Sequence, residues 1–228
     1  MKKIILSSAL CLNLAQAKVD YLIGLHFGGE QLSGKIKETV SMPTKYYEVT
    51  QKNKGRGIVG GINLGAQIVV SKFLIGTDLE LSFSTSKQTQ TQTFPEPTLD
   101  FVKLYQRTLR HTSSQNIGLK LGYAIQKDTY VYARPMVGMD RFEVKTMYLD
   151  DITRPRYQNR KNSHVRSTGI GLGLEKRAGN ILFGIEGRYI KSRSFKQTNK
   201  FLTPQQDTLT LKYQPTRYVG MIKISYIF

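Results

Sequence analysis

Cysteine and long hydrophobic runs are what this sequence has least of. The single cysteine among the 228 residues is Cys11, and it lies in an N-terminal stretch that we expect to be removed. The mature chain would then contain no thiol, which excludes disulfides, thiolate metal sites and cysteine nucleophiles. After that stretch the sequence has no run of about 18 apolar residues, which excludes a transmembrane helix.

The N-terminal stretch has the features of an export signal. Residues 1–17 read MKKIILSSALCLNLAQA, with two lysines, an apolar segment and Ala15-Gln16-Ala17 at the end. This order is typical of a secretory signal peptide with an A-x-A cleavage site. We therefore expect residues 1–17 to be a signal peptide and residues 18–228 to form a single exported domain.

Acidic residues are also scarce. The chain has 16 Asp and Glu against 34 Lys and Arg, a formal net charge of +18, which removal of Lys2 and Lys3 lowers to +16. A strongly basic protein favours an anionic partner, which could be nucleic acid, a phosphorylated lipid surface or a sulfated glycan. Export makes nucleic acid the least plausible of these, so we expect no nucleic-acid partner.

What the sequence does contain is a recurring two-residue period. The last eight residues, MIKISYIF, place Ile222, Ile224, Tyr226 and Phe228 on one face and polar Lys223 on the other. This alternation predicts a β-strand with one apolar face. Similar patterns cover seven further segments, at 19–27, 58–68, 73–83, 117–125, 130–144, 169–175 and 181–189, which gives eight predicted strands.

The predicted strand over 130–144 is irregular. Its apolar residues change parity at Phe142 and Val144. An extra residue in a strand turns every later side chain to the opposite face, and proline cannot donate a hydrogen bond to a neighbouring strand. We therefore predict a β-bulge near Pro135 or Asp140.

The connections alternate between short and long. Short links are predicted at 71–72, 127–128 and 178–180, and long polar loops at 29–57, 87–113, 145–164 and 195–215. This alternation is typical of bacterial transmembrane β-barrels. In a soluble sandwich or lipocalin-type barrel the apolar row from Phe73 to Phe83 would face water as an apolar belt. The sequence therefore predicts an all-β fold, an eight-stranded antiparallel up-and-down transmembrane β-barrel.

Together, the signal peptide, the eight amphipathic strands and the terminal Tyr226-Ile227-Phe228 resemble the small outer-membrane β-barrels of Gram-negative bacteria, the OmpA-type and Opacity-type group. The resemblance implies a monomer in the outer membrane that contacts outer-membrane lipid and lipopolysaccharide. It also implies recognition of the last strand by the barrel-assembly machinery. The insertion signal it implies consists of Tyr218, Ile222, Ile224, Tyr226 and Phe228.

Charged residues on the inward face of the strands are candidates for a lumen network. They are Asp78, Glu80, Lys120, Glu175, Glu186, Arg188 and Lys223, with His26 and Arg134 as possible additions. An eight-stranded barrel has an interior just wide enough for side chains, so these charges are expected to pair and close the lumen. The alternative is a conducting path, as in a narrow porin-like channel.

The polar segments between strands carry many cations. The candidate basic surface comprises Lys52, Lys54, Arg56, Arg154, Arg156, Arg160, Lys161, Lys196 and Lys200. Such cations can bind phosphate or sulfate groups of lipopolysaccharide or of host surface molecules. The alternative is a solvated surface that only maintains solubility.

A catalytic role has weaker support in the sequence. His111-Thr112-Ser113 is similar to the His-x-Ser pair of the lipid A deacylase family, and His111 shares the parity of the outward residue Ile117. That family has a Glu twelve residues after the His, where this chain has Tyr123, so the set of catalytic groups is incomplete. Asp150-Asp151 lacks the paired Asp-x-His of an omptin-type protease and is interpreted as a turn. We therefore expect no enzyme activity and no cofactor, with a lipid A-modifying enzyme as a remote alternative to a surface-exposed structural barrel.

Overall fold

The computed structural model describes residues 19–41, 46–95, 102–151, 154–200 and 208–228. All of its regular structure is β-strand. The strands are β1 Val19–Ser41, β2 Tyr46–Val70, β3 Phe73–Ser84, β4 Lys87–Pro95, β5 Val102–Gln126, β6 Thr129–Asp151, β7 Arg154–Ala178, β8 Ile181–Ser192, β9 Phe195–Lys200 and β10 Thr208–Ile227. Within these ranges no helix is long and apolar enough to cross a membrane. The predicted signal peptide lies outside the described residues.

The ten segments form eight barrel strands. β3 and β4 are two halves of one long strand interrupted at residues 85–86, and both pair with β5. In the same way β8 and β9 are interrupted at residues 193–194 and both pair with β10. Consecutive strands pair antiparallel, and β1 pairs with β2 on one side and β10 on the other. The sheet is therefore a closed ring, and the predicted eight-stranded antiparallel barrel is confirmed.

At one end of the barrel, tight turns connect consecutive strands. Ser71, Asp128 and Gly179 adopt left-handed backbone conformations, with φ angles of 57°, 59° and 62°. Each lies in one of the predicted short links, between β2 and β3, β5 and β6, and β7 and β8. The short links are thus confirmed, and they define the turn end of the barrel, opposite the loop end.

The strands are much longer than the sequence analysis predicted. β2, for example, continues from the apolar segment back through residues 46–57, which were predicted as part of a loop. The four predicted long loops are in fact mostly paired strand, because cross-strand hydrogen bonding continues beyond the apolar rows. Twelve further residues of tilted strand extend the wall by roughly 30 Å beyond the apolar part.

The outer wall between the two ends is apolar. In β3 the side chains alternate strictly between exposed and buried positions, and the exposed ones include Phe73, Ile75, Leu79, Leu81 and Phe83. Aromatic pairs lie at both margins, with ring centroids 5.6 Å apart for Phe73 and Tyr123 and 5.4 Å apart for Tyr189 and Tyr218. An apolar band bordered by aromatic residues is the surface that a bilayer-spanning barrel presents to lipid.

The prediction of a bulge in β6 is wrong. β6 pairs with β7 in one uninterrupted register from Thr129 to Tyr148, so Phe142 and Val144 point into the barrel, as Asp140 does. The irregularity lies on the neighbouring strand β5, where Thr112 is an extra residue between His111 and Ser113. The Thr112 hydroxyl donates a hydrogen bond to the Arg141 carbonyl at 2.9 Å, which stabilises the bulge.

Candidate functional site: a filled lumen and a basic outer surface

Seven ionisable side chains form a network halfway along the apolar band, called here the lower network. Its members are His26, Asp78, Glu80, Arg134, Glu186, Arg188 and Lys223, all buried. Arg188 donates to both oxygens of Glu80 at 2.5 and 2.6 Å. Arg134 donates to Asp78 at 2.9 Å through Nε. Apart from His26, the network consists of three carboxylates and three cations.

Glycines and a tyrosine shape the space around this network. Arg134 lies across Gly118, where a Cβ atom would overlap the guanidinium, and Tyr132 lies across Gly173 in the same way. A glycine in a strand often marks such a close approach. The Tyr132 hydroxyl donates to Glu186 at 2.7 Å, and the Lys223 ammonium donates to Glu186 at 2.8 Å. Gly118 of β5 and Gly173 of β7 therefore leave the space that Arg134 and Tyr132 occupy in the network.

Lys120 and Glu175 form a separate ion pair toward the turn end. The Lys120 ammonium donates to Glu175 at 2.7 Å and to Gln67 at 3.2 Å, and it lies 4.9 Å from the centre of the Tyr132 ring. A void of about 20 Å³ adjoins the pair, which is room for about one water molecule. All seven predicted lumen charges thus lie inside the barrel, and each has an ionic partner.

Sequence reasoning did not find a second ionic cluster nearer the loop end, called here the upper network. It joins Glu30, His111, Asp140 and Arg217, with Arg217 donating to Glu30 at 3.1 Å and to Asp140 at 2.6 Å. Ser86 also donates to Glu30, and Ser192 donates to Asp140 at 2.6 Å. Glu30 and Arg217 share the parity of His26 and Lys223, and that was the signal in the sequence that could have identified them.

The predicted outward orientation of His111 is wrong. The bulge at Thr112 reverses the parity of β5, and the His111 ring is completely buried in the upper network. Its Nδ1 lies 2.9 Å from Glu30 and its Nε2 lies 3.0 Å from the Ser113 carbonyl. Both partner atoms are oxygens inside the barrel. The His111 ring therefore faces the lumen and not the lipid outside the barrel.

Apolar side chains fill the lumen above the upper network, forming what we call the apolar plug. It consists of Leu32, Ile36, Leu109, Phe142, Val144, Val165, Leu211 and Tyr213, with Phe195 packed against it. The Phe195 ring stacks on both Phe142 and Tyr213, with centroids 5.8 and 5.1 Å apart. Burial raises the pKa of the Tyr213 phenol. Above the plug, Arg107 pairs with Glu38.

These layers close the described part of the lumen. A smaller apolar layer of Val59, Met136, Ile190, Val219 and Met221 lies between the two networks, so ionic and apolar layers alternate along the axis. An ion crossing the barrel would have to pass through the apolar plug, where the Tyr213 hydroxyl is the polar side-chain group among the residues that form it. This geometry argues against the narrow-channel alternative.

Cations cover the outside of the extended strands. Lys52, Lys54, Arg56, Arg160, Lys161 and Lys196 of the predicted basic surface are exposed. Arg160 pairs with Glu143. The side chains of Arg154, Arg156 and Lys200 lie outside the described part of the structure, as do those of Asp150 and Asp151. Asp151 itself pairs with Arg154 in the ladder, so it belongs to a strand rather than to the predicted turn.

Several of these lysines lie directly opposite one another across strands. Lys35 is opposite Lys52, Lys37 is opposite Lys212, and Lys212 is opposite Lys196. All five are exposed, and they span the adjacent strands β2, β1, β10 and β9. Among them, Lys37 has an ionic partner, Glu48, at 2.7 Å. We call these five residues the lysine patch.

The predicted insertion-signal residues all point outward. Tyr218, Ile222, Ile224, Tyr226 and Phe228 are each about half exposed or more. Tyr226 and Phe228 contact each other edge to face, with ring centroids 5.1 Å apart. They lie at the turn-end margin of the apolar band. Whether the assembly machinery reads this row stays a prediction.

Comparison with known proteins identifies the architecture. No protein-family model and no curated protein matches the sequence. The structure is similar to that of the outer membrane protease OmpT from Escherichia coli, with a TM-score of 0.52 and 9% identity over 92% of this chain and 97% of that one. A likeness at this identity concerns the fold alone. This chain is therefore an outer-membrane-type β-barrel.

Two further barrels are similar at a lower level. Ail of Yersinia pestis, solved in complex with the heparin analogue sucrose octasulfate, has a TM-score of 0.33 and 13% identity over 88% of this chain and 99% of that one. Neisserial surface protein A has a TM-score of 0.26 and 11% identity over 84% of this chain and 97% of that one. These two similarities are weak, and the fold assignment does not rest on them.

Proposed function

We propose that this outer-membrane β-barrel is a closed, surface-exposed binding protein whose lysine patch holds a polyanionic saccharide. The observation that carries the proposal is the three directly opposed lysine pairs. Like charges directly opposite each other destabilise a sheet, by up to about 1 kcal/mol for each pair. An anion bridging the ammonium groups would remove this repulsion, and the paired strands fix the backbone positions from which the lysine side chains extend.

The height of the lysine patch favours a saccharide over a lipid headgroup. Lys35 lies eight residues beyond Phe27, the last outward apolar residue of β1. Eight residues of tilted strand correspond to roughly 20 Å above the apolar band. At that height the available anions are the phosphates of lipopolysaccharide core sugars or the sulfates of host glycans, which share the same chemistry.

The proposal assigns the barrel no chemical step. The His111–Glu30 pair is the described arrangement that most resembles a catalytic dyad, and it is sealed between the two apolar layers. A general base must reach the proton that it abstracts. The lumen supports the binding role mechanically, because its filled interior stiffens the wall that carries the lysines.

The test is a binding measurement on the refolded full barrel in detergent. The probes are a size-defined sulfated oligosaccharide and the delipidated, phosphorylated core oligosaccharide of lipopolysaccharide. We expect micromolar binding that weakens as salt screens the charges, and a loss of about tenfold or more in Lys35→Gln/Lys52→Gln/Lys212→Gln. Preference for one probe identifies the source of the ligand.

A matched control removes the same charge from the other end. Lys72, Lys127 and Lys176 are exposed near the turn end, and their triple change to Gln leaves the lysine patch intact. If this control lost as much affinity as the patch variant, binding would reflect net charge and the proposal would be wrong. Absence of binding to both probes would refute it as well.

A further inference from the structure

A groove of about 660 Å³ runs along the outside of the apolar band. Its floor is formed by outward apolar side chains of β2, β3, β5 and β6, namely Ile62, Leu64, Leu79, Leu81, Ile117, Val137 and Met139. Arg166 and Thr168 of β7 line its loop end. The groove therefore has an apolar body and one cationic end.

Two further arginines surround that cationic end. Arg166 is opposite Met139 of β6, and Arg141 is two residues beyond Met139 on the same strand. On the other side of β7, the Arg193 backbone N–H donates to the Arg166 carbonyl at 2.8 Å. All three side chains are exposed, and within the described ranges none has a carboxylate partner. We call Arg141, Arg166 and Arg193 the rim arginines.

We propose that the groove and the rim arginines form a binding site for one phosphorylated, acylated lipid of the outer leaflet. An acyl chain lies along Val137, Ile117 and Leu81, and the phosphate is held by Arg166 with Arg193 or Arg141. The site shares no residue with the lysine patch, so the lipid proposal does not depend on the saccharide proposal.

The position of the arginines favours a lipid phosphate over a soluble anion. Arg166 pairs across the ladder with Met139, so its side chain starts at the edge of the apolar band, where lipid headgroups lie. The planar guanidinium binds phosphate through two parallel N–H donors, and it gives up water more readily than an ammonium does. A soluble anion would gain nothing from the apolar groove below, whereas a lipid uses both parts of the site.

Because the chain contains no tryptophan, a single introduced tryptophan can report on the groove. Val137→Trp places a single indole in the groove, and Leu25→Trp places one on β1, on the opposite wall. The two positions are 57% and 65% exposed, so both tolerate a larger side chain. The full barrel is refolded into phosphatidylcholine vesicles that contain increasing fractions of phosphatidic acid with brominated acyl chains, which quench a tryptophan in contact.

We expect half-maximal quenching of Val137→Trp at a phosphatidic acid fraction about tenfold lower than that of Leu25→Trp. Adding Arg166→Ala/Arg193→Ala should remove the difference, whereas Lys35→Ala/Lys212→Ala should leave it. Heat-dependent gel migration verifies that every variant is folded. Equal quenching at the two positions would overturn the proposal, as would an unchanged preference in Arg166→Ala/Arg193→Ala. Equally strong selective quenching of Val137→Trp by brominated phosphatidylcholine would reduce the site to an apolar groove and overturn the role of the arginines.

Discussion

The lower network makes a quantitative prediction for Arg134→Met. Arg134 is completely buried, donates to Asp78 at 2.9 Å, and lies 3.4 Å from Glu186 and 3.7 Å from Glu80. Methionine fills much of the same volume without charge. The change leaves three buried carboxylates with two cations, and an uncompensated buried charge costs about 3–5 kcal/mol. We expect the free energy of unfolding to fall by that amount.

The assay is urea unfolding of the barrel in lipid vesicles, with the folded fraction measured by unboiled gel migration. A second change, Asp78→Asn, restores the balance of charge, so Arg134→Met/Asp78→Asn should be more stable than Arg134→Met alone. Arg160→Met is the surface control, since Arg160 is 63% exposed in its pair with Glu143 and such pairs contribute about 0–1 kcal/mol. A loss below about 1 kcal/mol in Arg134→Met, or no recovery in the double variant, would refute the reasoning.

Three further outcomes are expected. Deleting Gln115 should prevent refolding, judged by gel migration against Gln115→Gly, because Gln115 lies in the regular part of β5 opposite Met139 and its loss would turn the segment before it, including His111, to the opposite face; a normal folded fraction would contradict this. Phe142→Ala should destabilise the barrel by about 3–5 kcal/mol in urea, because it opens a cavity in the apolar plug, and more than the lipid-facing Phe83→Ala does; equal losses would contradict a packed plug. The unmodified barrel should show no steady conductance in planar bilayers, and discrete, lasting current steps would show that the lumen opens.

The sequence predicted the membrane-spanning part well because lipid imposes a simple rule. Charged side chains on the lipid face are destabilising, so Glu80, Arg188 and Lys223 could only point inward. Their parity then determined which residues of β3, β8 and β10 face the bilayer. The pairing partners could not be predicted, because alternation gives the face of a residue but not the register of its strand.

Above the bilayer the same rule fails. There the outside of the wall is polar, as Lys35 and Lys212 show, and the apolar residues turn inward to form a core. Phe142 and Val144 looked like a continuation of the lipid-facing row after a bulge, whereas they belong to the apolar plug. The bulge at Thr112 left no mark in the sequence, because His111 is polar and alternation alone fits either orientation.

Closure of the ring between the first and last strands is the central claim, and one crosslink tests it directly. In a Cys11→Ser background the chain has no other cysteine, and Leu25 of β1 lies opposite Ile224 of β10. Directly opposed strand residues are within the Cα separation that a disulfide requires. The account predicts that Leu25→Cys/Ile224→Cys oxidises to an intramolecular disulfide in the folded barrel, while Leu25→Cys/Ile185→Cys, with β8 one strand further away, does not. No disulfide in the first pair, or equal oxidation in both, would contradict a closed barrel in this register.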